Sequence, residues 1–171
     1  MKTKDVTTAS LLLAMGMVLH AFTPAILGGV KPDFLLAMMF IAILIHPIPS
    51  HTFVVTIAAG IIAALTTSFP GGQLPSIIDK LGSGFFVLLV EMFLLKQNRK
   101  FLPLAILGFC ATFVSGVLFL GSAAIIVGLP APMGALMAGV VLPTAIANSV
   151  VCGVVAQVLR STRIFKTQVS V

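Results

Sequence analysis

The chain has 171 residues, 59% of them hydrophobic and only 8% charged, with a formal net charge of +6. With a mean hydropathy of +1.21, this composition excludes an ordinary soluble globular domain and indicates an integral membrane protein. The basic residues are not spread over a face, as nucleic-acid binding would require: eight of the ten sit at the N-terminus, in one loop or at the C-terminus.

Breaks at prolines, glycines and charge clusters divide the chain into six predicted spans. Lys2 and Lys4 precede the first, Val6 to Thr23, which lacks a small-x-small cleavage site and is expected to be retained as a helix. The second, Asp33 to His46, falls short of the roughly 20 residues that cross hydrocarbon. It is expected to run into the preceding loop or to cross a locally thinned bilayer. His51 to Ser68 is the third, Ser76 to Leu95 the fourth, Phe101 to Val127 the fifth and Met133 to Leu159 the sixth. All six are expected to be α-helical, because backbone in hydrocarbon must satisfy its own hydrogen bonds and these runs lack the alternation of a barrel. The loops are short, no linker or low-complexity tail separates them, and residues 1–171 read as a single six-helix transmembrane domain.

Lys and Arg flanking a span resist translocation, so the face carrying Lys2, Lys4, Lys96, Arg99, Lys100, Arg160, Arg163 and Lys166 is predicted to be cytoplasmic, with both termini there. Lys31 and Lys80 are the exceptions. Each has an acid within two positions, in Lys31-Pro32-Asp33 and in Asp79-Lys80. One such pair would be an ordinary surface ion pair worth about 0–1 kcal/mol. Two on the same rim form what a zwitterion needs, an ammonium for its carboxylate and a carboxylate for its amine.

Between them runs Ala64-Leu65-Thr66-Thr67-Ser68-Phe69-Pro70-Gly71-Gly72-Gln73-Leu74-Pro75. Its hydroxyls cap or back-bond, its glycines permit positive φ, its prolines stiffen the flanks, and it has the character of a loop that folds over a ligand. The Gly-Gly step lacks the Gly-Lys-Ser/Thr ending of a phosphate loop, so no ATP site is expected on this chain. On the fourth span Ser76, Lys80, Ser83, Val87 and Glu91 share a face. Glu91 lies near Lys96 and Arg99 and is expected to snorkel or pair at the helix end. In the sixth span Thr144, Asn148 and Cys152 recur every four residues beside Pro143, which frees the carbonyl of Gly139, so a bent helix with a polar stripe is predicted. Asn148 reads equally as interhelical glue and as a ligand contact. Gly108, Thr112, Ser115 and Gly116 read as a packing stripe. Cys110 and Cys152 have no CxxC and read as packing residues. His20 lies apart from His46 and His51, so no metal set forms; the latter two are expected in a solvated loop or against a partner.

Gly28-Gly29-Val30-Lys31-Pro32-Asp33, the block from Ala64 through Pro75 into Ser76-Ile77-Ile78-Asp79-Lys80, and Val127-Gly128-Leu129-Pro130 resemble the tryptophan transporter family. Its members are substrate-binding S-components of energy-coupling factor (ECF) transporters. The resemblance covers nearly the whole chain and implies a membrane-embedded binding protein that captures L-tryptophan outside, under two outer loops, and topples in the membrane to release it inside. It further implies partners: a transmembrane coupling protein and two cytoplasmic ATPases, which would use the ATP while this chain holds no cofactor. Docking of the coupling helices in such proteins uses an Ala-x-x-x-Ala spacing on the first helix, represented here by Ser10 and Ala14, with Gly16 beyond.

An indole needs an apolar wall and an acceptor for its N–H. Phe69, Phe34 and Met38 offer the wall; Asn148, Thr67 or Gln73 could accept. Lys31 or Lys80 is expected to meet the carboxylate and Asp33 or Asp79 the ammonium, with Thr66 and Thr144 nearby. The alternatives are an S-component for another small aromatic or vitamin-like solute and a six-span scaffold. An intramembrane enzyme is the weakest rival, because Asp5, Asp33, Asp79 and Glu91 are split between the two faces.

Overall fold

Helix ends in this chain fall where the local residues cannot continue a helix. The structure, a computed structural model, describes residues 3–25, 33–95 and 100–161, and every regular element among them is helical. α1 spans Thr3–Phe22, α2 Leu35–Ile45 and α3 Pro49–Thr66. α4 spans Gln73–Val90 and runs on as a π-helical turn, Glu91–Leu95; α5 spans Phe101–Ile126. α6 begins as Met133–Leu136, widens into a π-helical turn at Met137–Val141 and continues as Leu142–Ser161.

Pro49 occupies the first turn of α3 after an extended Ile48, where its missing N–H costs nothing. α5 stops where Gly128 takes φ +82° and its N–H and that of Val127 both reach the Ala123 carbonyl at 2.9 Å. The π turn in α6 ends just before Pro143, whose ring displaces the carbonyl one turn back; the Leu142 N–H reaches the Met137 carbonyl instead. The bend expected at this proline therefore takes the form of a widened turn.

All eleven residues of α2 are buried, and α2 packs against α1, α3, α4, α5 and α6. A helix apolar on every side belongs inside a bundle. At 1.5 Å per residue it is roughly 16 Å long, and the other helices surround it. Among the described residues four helices are long and apolar enough to cross a membrane, at Asp5–Phe22, Pro49–Thr66, Phe101–Ile126 and Met133–Val155. Their outward side chains, including Leu11, Phe22, Leu65, Ile106 and Ile125, form an exposed apolar belt. α4 is built differently. Its polar residues Ser76, Asp79, Lys80 and Ser83 are all buried, and so is Glu91.

The expectation of solvated inner histidines is corrected at His51. The first turn of α3 tucks it wholly inside, edge-on to His46 with ring centroids 5.4 Å apart, and neither of its ring nitrogens is hydrogen-bonded.

Close approach of α3 and α4 depends on glycine. A Cβ on Gly84 would collide with the methyl of Thr56, a stiff β-branched side chain whose hydroxyl is tied to the Phe53 carbonyl at 2.9 Å. Gly84→Ala is expected to destabilise the folded protein by about 1–3 kcal/mol. Gly121→Ala, where an added methyl meets nothing within 4 Å, should be neutral or stabilising by up to about 1 kcal/mol. Thermal unfolding of the two variants in detergent checks this; equal effects would remove the α3–α4 contact as the cause.

Candidate functional site

Asp33 stands just before α2, and Asp79 and Lys80 lie in the second turn of α4. The packing of α2 on α4 brings the three together. The Lys80 Nζ is 2.6 Å from the Asp33 Oδ2 and 3.0 Å from each Asp79 oxygen. From α5, the Ser115 hydroxyl donates to the Asp79 Oδ2 at 2.8 Å. From α1, the His20 Nδ1 stands 3.2 Å from the Asp33 Oδ1, yet neither atom completes a hydrogen bond. Lys80 is 1% exposed and Asp79 3%. The sequence pointed to two local pairs on a rim; here one buried ammonium is shared by two carboxylates across helices, and Lys31 lies outside the described residues. Burial changes the energetics. A buried charge left without its partner costs about 3–5 kcal/mol, well above the value of a surface pair.

This cluster forms the polar end of a cavity with about 590 Å³ of empty space, counting its open mouth. Much of the remaining lining is apolar and includes Phe69, Phe119, Leu120, Val140 and Val141. Phe69 and Phe119 meet edge to face, with centroids 5.5 Å apart and planes at 77°.

Phe69 reaches inward because its loop is a defined turn. The Thr67 hydroxyl oxygen accepts the Phe69 N–H at 3.2 Å, and the Gly72 N–H donates to the Phe69 carbonyl at 3.0 Å. Pro70 and Gly71 occupy the middle of that turn, and Gly71 has φ +72°. Proline followed by a positive-φ glycine is what a type II turn demands. A Cβ on Gly71 would strike Val127, so the loop is seated on the end of α5.

Of the residues singled out in the sequence, Asp33, Thr67, Phe69, Asp79, Lys80 and Thr144 line the cavity. The Thr144 hydroxyl bonds its own helix, at the Val140 carbonyl, 2.6 Å away. Thr66 does not reach the cavity; its hydroxyl donates to the Ile62 carbonyl at 2.7 Å. Gln73 is exposed at the start of α4, away from the lining. Asn148 is wholly buried behind the cavity, where its Nδ2 donates to the Asp33 carbonyl at 2.9 Å and the Thr112 hydroxyl at 3.2 Å. It is a strut that fixes Asp33 to α5 and α6. Phe34 and Met38 also stand outside the lining.

Sequence reasoning did not bring His20 or Phe119 to the site, and read Thr112 and Ser115 as packing. Ser115 and Thr112 did carry a signal, hydroxyls on one helix face, but a small-residue stripe does not reveal which helix it will meet. Ser10 and Ala14 are exposed on the outward side of α1, whereas Gly16 is buried against Leu35 and Met38 and does not extend that face. Among the described residues no three His, Cys, Asp or Glu side chains are placed to hold a metal ion.

Comparison with known proteins gives one family model, the tryptophan transporter TrpP, matching residues 2–163. A probable tryptophan transport protein of Bacillus subtilis (strain 168) is 48% identical over 151 residues, covering 88% of this chain and 87% of that protein. Proteins of the same description from Clostridium acetobutylicum and Clostridium perfringens are 46% identical over 152 residues and 40% over 158. These cover 88% and 87% of this chain, and the same shares of the relatives. No solved structure matches the chain.

Proposed function

The chain belongs to the tryptophan transporter TrpP family, and from that premise we propose that it is the membrane-embedded subunit that binds L-tryptophan for high-affinity uptake across a prokaryotic cell membrane. One observation carries the reading most directly: the Asp33–Lys80–Asp79 cluster and a set of aromatic and aliphatic side chains line the same cavity. An amino acid with a large flat apolar side chain matches both. The ligand's ammonium goes to Asp33, which lines the cavity and whose buried Oδ1 makes no hydrogen bond. Its indole lies against Phe69 and Phe119, and the hydroxyl oxygens of Thr67 and Thr144 are within the same lining as acceptors for the indole N–H.

In this reading α1 to α6 are six spans of a single transmembrane domain, with both termini cytoplasmic and the cavity opening outward. Energy comes from an ECF coupling protein and two cytoplasmic ATPases, since the chain has no phosphate-binding loop of its own. The exposed Ser10 and Ala14 on α1 support a docking face there, where small residues allow close helix approach.

Purified protein is expected to bind L-tryptophan saturably with no ATP present, by calorimetric titration. In sealed liposomes the chain alone should accumulate none, and uptake should appear when the coupling protein and ATPases are added. A six-span scaffold would give no saturable heat, and a screen of amino acids and vitamins would expose a different preferred solute. Robust uptake by the chain alone would overturn the dependence on a partner module.

A further inference from the structure

The hydrogen bonds of the charged cluster say which end of a zwitterion it selects. Lys80 is the one Lys or Arg of the described lining, and its Nζ sits within 3.0 Å of three carboxylate oxygens. An ammonium has three protons to donate. A ligand carboxylate could take one only by displacing Asp33 or Asp79, and would do so inside a buried site. The two aspartate carboxylates against the one Lys80 ammonium leave these three side chains one negative charge in excess. That excess is not spread evenly. Both Asp79 oxygens are occupied, by Lys80 and by Ser115. On Asp33 only the Oδ2 is engaged by Lys80, and the Oδ1 makes no hydrogen bond. His20, 5% exposed and lining the same cavity, leaves its Nδ1 unbonded 3.2 Å from that oxygen.

We propose that this is an amine site: recognition requires the ligand's ammonium and not its carboxylate, so arylalkylamines without a carboxylate also occupy it. The proposal rests on the tryptophan-binding reading above for the location of the ring, against Phe69 and Phe119, but concerns a different part of the ligand. A protonated primary amine on a short arm supplies the missing positive charge and donates to the Asp33 Oδ1. An arylalkyl carboxylate of the same shape brings a second uncompensated negative charge to a buried cluster already in excess.

The test is calorimetric titration of the full-length purified protein at neutral pH with three probes: L-tryptophan, tryptamine and indole-3-propionate. Tryptamine is expected to bind within about tenfold of L-tryptophan, and indole-3-propionate at least about 100-fold more weakly than tryptamine. Equal binding of tryptamine and indole-3-propionate, or tryptamine about 100-fold or more weaker than L-tryptophan, would overturn the proposal. The L-tryptophan titration tests the functional reading by itself. If it shows no binding while tryptamine binds, that reading falls and the amine site stands; if L-tryptophan binds and tryptamine does not, the reverse holds.

Discussion

Lys80→Met is expected to destabilise the folded protein by about 3–5 kcal/mol, one of the largest effects of any single substitution in this chain. The methionine fills nearly the same volume, so packing is not what is lost. What remains is a pair of carboxylates, the buried Asp79 and the partly buried Asp33, that had shared one ammonium at 2.6–3.0 Å. Ser115 continues to donate to Asp79, and a single hydroxyl does not neutralise two charges. Replacing a whole buried ion cluster by neutral groups of similar shape, by contrast, is often neutral or stabilising. The triple variant Lys80→Met, Asp33→Asn, Asp79→Asn should therefore recover most of the thermal stability in detergent while binding of L-tryptophan stays lost. Recovery of binding together with stability would show that the cluster serves only the fold. A single variant as stable as the parent would mean that the carboxylates are not held in the dry environment their burial implies.

The elements that were legible in the sequence are those whose causes are local. The inward face of α4 follows from residues three and four apart, and burial of Ser76, Lys80, Ser83, Val87 and Glu91 agrees with it. Pro143 announced a disturbance one turn earlier, and Phe69-Pro70-Gly71-Gly72 announced a turn needing positive φ, found at Gly71. The all-helical character followed from composition and the membrane's demand for internal backbone hydrogen bonding.

Cross-helix pairing was hidden for a physical reason. Lys31 and Asp33 are two positions apart and Asp79 and Lys80 are adjacent, so local neutralisation looked natural; Lys80 instead reaches Asp33 because α2 sits in the middle of the bundle. That central place could be inferred from uniform hydrophobicity but not from length, which pointed to a lipid mismatch. Asn148 had the right spacing for the polar stripe of α6, and only the depth of α5 and α2 decides that its amide grips the Asp33 backbone rather than facing the cavity. Gln73 and Thr66 lie in the dense loop motif, yet the turn at 69–72 that carries Phe69 inward leaves Gln73 exposed, and Thr66 bonds back along α3.

The two aspartates, indistinguishable in the sequence, are expected to separate in binding. Asp33→Asn should weaken L-tryptophan affinity by about 100-fold or more with the bundle still folded, and Asp79→Asn should weaken it at least about tenfold less. Truncating one partner of a buried, hydrogen-bonded charge pair costs about 2–5 kcal/mol, and 1.4 kcal/mol is tenfold in affinity. Asparagine at position 33 would turn its oxygen to Lys80, which approaches at 2.6 Å, and so present its NH₂ to the cavity where the ligand also donates. Two donors then face each other where a carboxylate stood. At position 79 both oxygens are already taken by Lys80 and Ser115, so substitution removes the cluster's excess charge but leaves the open acceptor on Asp33 in place. Folding is protected in both variants because Lys80 retains one carboxylate. Titration of each variant with L-tryptophan, alongside its melting temperature in detergent, reads the two effects separately; a greater loss of affinity at Asp79 than at Asp33 would move the ammonium to the α4 carboxylate.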